Sequence, residues 1–397
     1  GPDWRHPVAV SRTGLEQFIA HVPPEVCNHR AGLLTNPSGV DRHFQSSVDL
    51  LARHPDIELV ALFGPEHGIR GEAQAGDHVS TGTDPATGLP VHSLYGETRV
   101  PDAGMLRDLD SFIIDIQDIG VRYATYLSSI DNVMTACAEH GVQVVILDRP
   151  NPLGGVTVAG GILNGAFRSF VGTHDIPVLH GLTMGEFARL LAHDRSLPEP
   201  VIVPMQGWQR QMLYDETGLP WVFPSPNLPT LDSHLLYGAT CLIEGTNLSE
   251  GRGTTRPFEM IGAPWLEPDA IVASLQAWDL PGFAYRPVYF TPMFSKNAGT
   301  RCGGVQIYVT DRQAASTIEL GVRLLQSVIA LGHDQFEWVQ FTEGGARHFV
   351  DLLAGGDQLR TTLSAGNDPA PLLGQWQDDA ATFNQRRQQF LLYDSTI

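Results

Sequence analysis

Lysine is almost missing from this chain of 397 residues: Lys296 stands alone beside 24 arginines. Any anion the protein holds must therefore be gripped mainly by arginine, histidine or backbone N–H groups. Acidic residues outweigh basic ones to a formal charge of −19, and no basic stretch interrupts them. That excludes a nucleic-acid partner, whose binding rests on clustered Lys and Arg meeting phosphates. Cysteine is scarce as well. Cys27, Cys137, Cys241 and Cys302 lie far apart without a CxxC pair, which excludes a zinc knuckle or a disulfide-dense scaffold. No run approaches the roughly 18 apolar residues of a membrane span. The opening Gly-Pro reads as the scar of a cleaved tag, so a missing leader carries no weight.

Several chemical signatures are absent too. The first predicted strand runs into "TNPSGVD" (35–41) rather than a glycine-rich phosphate turn, no GxxxxGK[ST] occurs, and "EGRGTTR" (250–256) holds only part of a GxGxxG. Neither the GxSxG elbow of a serine hydrolase nor an HExxH is found. No cofactor and no metal is expected, although "THDIPVLH" (173–180), with His174, Asp175 and His180, leaves a metal-dependent hydrolase as an alternative.

What is present describes a folded α/β protein, with 42% hydrophobic and 17% charged residues and a length that suggests two domains. Short apolar runs at 31–36, 58–64, 111–116 and 142–148 read as strands buried on both faces, with helices at 43–55 and 126–141 between them. This alternation predicts a Rossmann-like parallel sheet over residues 1–160. Residues 161–397 are expected to form a second α/β or α+β domain, with a helix at 183–194, strands at 200–205, 239–245, 283–292 and 303–311, and a helix near 312–331. The stretch 207–232 is rich in Pro and aromatics and is expected to be packed. No internal repeat is found.

In a parallel sheet, ligands bind beyond the carboxyl ends of the strands. Here each predicted strand delivers polar residues at that edge: Asn36; Glu66 and His67; Asp115, Gln117 and Asp118; Asp148, Arg149 and Asn151. "LFGPEHGIRGEAQAG" (62–76) adds Arg70 and Glu72 on a loop of small residues. A second concentration, "LIEGTNLSEGRGTTRPFEMIGAPW" (242–265), offers Glu244, Asn247, Glu250 and Arg252 and is expected to face the first across a cleft. Paired carboxylates suit glycosidic cleavage, which needs one protonated carboxyl to donate to the leaving oxygen and usually a second to stabilise or attack the sugar. Glu66 fits the acid, because a buried strand delivers it directly and the carboxylates at 115 and 118 raise its proton affinity. Asp115, Glu72 and Glu244 are the candidates for the second carboxylate. Trp208, Trp221 and Trp265 are candidates for stacking on sugar faces.

These blocks, together with "FIIDIQDIGVRYATY" (112–126), "VILDRPNPLGG" (145–155), "SFVGTHDIPVLHGLTMGE" (169–186) and "GLPWVFPSPNLPT" (218–230), resemble in order those of the NamZ-like exo-β-N-acetylmuramidases. The resemblance spans nearly the whole chain. It implies a Rossmann-like domain joined to a C-terminal domain, an active site in the cleft between them, and release of N-acetylmuramic acid from non-reducing ends of peptidoglycan or muropeptides. It implies Glu66, in the family's PEHG motif, as catalytic residue, and a secreted, periplasmic or cell-wall-associated enzyme. In one departure, Tyr123 is followed by Ala124 where the family has two adjacent aromatics. The substrate-binding set expected from these loops is His67, Arg70, Gln117, Arg122, Tyr123, Arg149, Asn151, Asn227, Asn247 and Arg252. Of these, Arg70, Arg122, Arg149 and Arg252 are the candidates to hold the lactyl carboxylate. The sequence leaves open the stereochemical course, the oligomeric state and, as an alternative function, a non-catalytic sugar- or muropeptide-binding protein.

Overall fold

The computed structural model describes residues 10–65, 68–69, 82–95, 99–341 and 347–394. Its first half runs α1 (Gly14–Ala20), β1 (His29–Thr35), α2 (Ser47–Ala52), β2 (Ile57–Gly64), β3 (Gly82–Thr83), β4 (Pro90–Ser93), α3 (Ala103–Leu106), β5 (Ser111–Asp115), α4 (Thr125–His140), β6 (Gln143–Leu147), α5 (Met184–Arg195) and β7 (Val201–Val203). The strands form one sheet in the order β3-β4-β2-β1-β5-β6-β7, parallel throughout except where β3 turns back on β4.

Every residue of β5 is buried, because helices cover both faces of the sheet. Alternate side chains feed two cores. Leu33, Ile113, Val145 and Leu147 pack with α1 and α2, whereas Leu34, Phe112, Ile114, Val144 and Ile146 pack with α4 and α5. Helix α4 stops at Gly141, whose φ of 67° is the left-handed conformation that glycine adopts without strain. The sheet does not end near residue 160, since β7 adds to its edge beside β6.

The second half contains α6 (Leu231–Thr240), β8 (Met260–Ala263), α7 (Pro268–Ala277), β9 (Phe283–Phe290), β10 (Cys302–Val309), α8 (Thr317–Gly332), α9 (Phe349–Ala354), α10 (Gln358–Ser364) and α11 (Ala370–Arg387). Its antiparallel sheet has the order β8-β10-β9. The strand expected at 239–245 is a helix end instead: α6 finishes at Thr240 and Cys241–Gly245 continue as a 3₁₀ turn. A short apolar run has no period that separates the two states. Here the Thr230 cap starts a helix, and small residues hold it against α8, where a Cβ on Gly321 would come 3.0 Å from Ala239 Cα.

The larger core runs without interruption from the first half into the second, through Tyr123, Leu127, Leu236, Leu320, Val350 and Phe383. The last described residues return to the first sheet. Tyr393 Oη donates to Asp148 Oδ2 at 2.6 Å and accepts from Met205 N at 2.9 Å, with its ring edge-on to Trp208. Arg387 donates to the Gly155 and Gly181 carbonyls, both at 2.8 Å.

Candidate active site between the two halves

Among the described residues, the polar ends of β1, β5 and β6 lie at one edge of the sheet, and most of them bind one another. Arg149 grips both oxygens of the buried Asp115 at 2.6 and 3.0 Å and gives its remaining bond to the Val40 carbonyl at 2.9 Å. Gln117 donates to the Asp118 and Pro150 carbonyls, and Asn151 donates to Leu182 O while accepting from Leu153 N. Arg122 is buried and donates to the carbonyls of Gly161, Ile176 and Leu353 at 2.8–2.9 Å. Burial lowers its pKa to about 10. Asp148 receives Thr183, Tyr393 and the Gly185 N–H, and burial pushes it up to about 6. These groups satisfy buried backbone and fix the loops, as buried polar atoms must be.

Beside this scaffold opens a cavity of about 610 Å³, within the range of small-ligand pockets. The first half supplies Tyr95, Ile119, Phe170 and the segment Tyr123–Tyr126 that leads into α4; the connecting loop supplies Ser225 and Asn227. The second half supplies Tyr237, Phe258, Phe294, Phe349 and a charged quartet of Glu244, Glu250, Arg252 and Lys296.

The quartet is assembled from three loops. Glu244 sits on the turn after α6, Glu250 and Arg252 on the loop before β8, and Lys296 between β9 and β10. Arg252 Nε and a terminal nitrogen meet Glu244 Oε1 at 3.1 and 2.5 Å, and Nε lies 3.3 Å from Glu250 Oε1. Lys296 Nζ stands 2.8 Å from Glu250 Oε2, while its hydrogen bonds go to the carbonyls of Ile243 and Thr246 at 3.0 and 2.8 Å. Burial raises the pKa of Glu244 against the pull of Arg252, and the neighbouring Glu250 charge adds to the rise. Burial alone would lower the pKa of Arg252, but the two glutamates hold it above its ordinary value.

The glycines flanking Arg252 serve this assembly. Gly251 and Gly253 have φ of 88° and 80°. A Cβ on Gly251 would lie 2.7 Å from Met260 O, and one on Gly253 only 2.6 Å from Phe294 N. The small residues thus bring backbone against backbone, so that Arg252 and Lys296 both reach Glu250 while Arg252 also holds Glu244.

Residues 31–232 match the family model described as exo-β-N-acetylmuramidase NamZ, N-terminal, and residues 235–393 match its C-terminal counterpart. The chain belongs to the NamZ family of exo-β-N-acetylmuramidases. It is 43% identical over 383 residues to the peptidoglycan β-N-acetylmuramidase NamZ of Bacillus subtilis (strain 168), covering 96% of this chain and 91% of that one. Two crystal structures of DUF1343 family proteins from Bacteroides fragilis NCTC 9343 share the fold. One has a TM-score of 0.87 at 37% identity, covering 97% of this chain and 99% of that chain. The other has a TM-score of 0.75 at 30% identity, covering 98% and 100%.

Of the residues expected in the site, Tyr123, Asn227, Glu244 and Arg252 line the cavity. Asp115, Gln117, Arg122, Arg149 and Asn151 face inward as described above, and Asn247 ties its loop to Gln335 O and Glu337 N. Glu66, His67, Arg70 and Glu72 lie outside the described residues. None of the three tryptophans lines the cavity. Trp208 packs on Tyr393, Trp221 donates to Pro229 O, and Trp265 closes on Gly332; the aromatic walls are Tyr and Phe instead. The histidines of "THDIPVLH" do not gather either. His174 pairs with Asp194 at 2.6 Å, Asp175 pairs with Arg168, and His180 is buried 4.0 Å from Asp118; among the described residues no three metal-ligating side chains share a centre. Sequence reasoning left Lys296 without a place in the site, although its being the sole lysine was a signal. Tyr95, Phe170, Phe294 and Phe349 gave none, since each comes from a separate segment.

Proposed function

We propose that this chain removes terminal N-acetylmuramic acid from the non-reducing ends of peptidoglycan fragments, with Glu66 as general acid and the interdomain cavity as the seat of the sugar. Family membership supports the reaction class. The carrying observation is the cavity itself, a sugar-sized space walled by aromatics and by a paired set of two carboxylates and two cations. A polyhydroxyl ring needs such a mixture, with flat apolar faces for its C–H groups and few, directed polar partners for its hydroxyls.

The position of β2 supports Glu66. Gly64 ends that strand, and its carbonyl accepts from Leu94 N at 2.8 Å, next to the cavity-lining Tyr95. Only Pro65 separates Gly64 from Glu66 in the chain. Among the three candidates for the second carboxylate, Asp115 is spent on Arg149 and Glu244 on Arg252. The role then falls to Glu72 or to the 2-acetamido group of the substrate itself. Action on peptidoglycan supports a secreted, periplasmic or cell-wall-associated enzyme, and no helix among the described residues is long and apolar enough to cross a membrane.

The test is Glu66→Gln, which keeps size and loses the donated proton. General acid catalysis contributes about 10²- to 10⁴-fold, so kcat on natural glycan should fall by that order. The loss should be smaller for a glycoside with an activated phenolic leaving group, which departs with little protonation. Near-normal hydrolysis of natural glycan by Glu66→Gln would remove the assignment.

A further inference from the structure

Among the described residues, Lys296 and Arg252 are the cations that line the cavity, and both are already occupied by glutamates of this chain. Four ionised groups in one wall cancel to zero charge, which is a costly way to line a pocket unless one of the charges has further use. The arrangement is also asymmetric. Glu250 is the deeper carboxylate, its side chain 3% exposed and fixed between both cations. Glu244 is more open at 17%; one oxygen takes both bonds from Arg252, and the other receives the thiol of Cys241 at 3.9 Å. Lys296 and Arg252 themselves are 27% and 18% exposed, so a ligand in the cavity can reach them.

Resting on the reading of the cavity as the muramic acid site, we propose that Arg252 and Lys296 are the receptor for the lactyl carboxylate, and that Glu244 is an internal counter-anion holding Arg252 until substrate arrives. A lactyl carboxylate brings a third anion to two cations. Arg252 offers a planar fork that matches a carboxylate, and the neighbouring ammonium adds a point charge. The excess negative charge is relieved if Glu244 takes up a proton as the ligand binds. The groups facing Glu244 agree: Arg252 and Lys296 favour its charged form, Glu250 opposes it, and Tyr237 and Cys241 are held neutral by burial. N-acetylglucosamine lacks the lactyl group and would leave the quartet undisturbed, so these residues separate the two sugars of peptidoglycan.

The test is titration calorimetry of the full chain with free N-acetylmuramic acid, its lactyl carboxamide and N-acetylglucosamine, run in two buffers of different ionisation enthalpy. N-acetylmuramic acid should bind at least about tenfold more tightly than the other two and with net proton uptake, while the neutral ligands take up none. Lys296→Met should erase most of that preference and weaken the neutral ligands little. Arg252→Lys, which keeps the charge and loses the fork, should do the same without leaving the glutamates unpaired. Equal affinity for the three ligands, or equal losses on all three in both variants, overturns the receptor. Preference for N-acetylmuramic acid without proton uptake overturns the role of Glu244. Because calorimetry reads binding, a receptor that fails here leaves hydrolysis of a muramic acid glycoside standing, and an inactive chain that still prefers the acid would strike the proposed function instead.

Discussion

Asp118 lies one residue before the cavity-lining Ile119 and is buried beside His180. Burial pushes Asp118 up to about 6 and His180 down to about 3. An unfolded aspartate titrates near 3.9, so the native state binds the proton more strongly than the unfolded state does. The folded protein therefore bears no cost for this group below pH of about 4, loses stability as pH climbs, and carries the full cost above about 6. Asp118→Asn, a neutral isostere, should then exceed the parent in stability by on the order of 2 kcal/mol at pH 7.5, with the gap closing as pH falls toward 4. Urea unfolding at both pH values measures it. A gap that does not change with pH would mean that packing, not charge, sets the difference. At the same scale, Arg149 and Arg122, expected from sequence to meet substrate, bond a buried carboxylate and three backbone carbonyls of this chain. An arginine that reaches a buried carboxylate or three carbonyls is indistinguishable, in sequence, from one that reaches into solvent.

At the scale of elements, Gly253 decides whether two loops meet. Its φ of 80° and a Cβ position 2.6 Å from Phe294 N leave no room for a side chain. Gly299 has a similar φ of 73° with open space around it. Gly253→Ala should cost about 2–4 kcal/mol, strain and clash together, against about 1 kcal/mol for Gly299→Ala from strain alone. Gly253→Ala should in addition raise KM for muramic acid glycosides, because it separates the Arg252 loop from the Lys296 loop. Matched denaturant midpoints for the two variants would show that the close approach carries no weight.

The parallel sheet was legible because its strands are doubly buried and read as continuous apolar runs, and α4 and α5 were legible from their period and the stop at Gly141. The turn after α6 was not, since its five residues, Glu244 among three apolar ones and a glycine, are too few to carry a period. Helices α9 and α10 escaped because six and seven residues are too short to show a period, and α11 because its apolar positions are thinly spread, with Leu372, Ala380, Phe383 and Arg387 as its buried residues. Of the site, the loop carrying Glu244 and Arg252 was visible as a concentration of charge among small residues. The aromatic walls were not, because only the fold brings residues 95, 170, 294 and 349 together.

Over the whole molecule, the two halves share one core and exchange buried hydrogen bonds, so they should unfold as one. Calorimetry should give a single transition, and two resolved transitions would show separate cooperative units. Tyr393→Phe deletes the donor to Asp148 and the acceptor for Met205 N, both buried, and should lower stability by about 1–3 kcal/mol without altering kcat. Asp148 and Tyr393 stand 245 positions apart in the chain. A ribosome releases them in that order, so the carboxylate at the heart of the first sheet waits for its partner until the residues between them have been made. The first sheet thereby depends on a residue made long after its own strands, and a chain cut short of Tyr393 leaves Asp148 with only the Thr183 hydroxyl and the Gly185 N–H as donors.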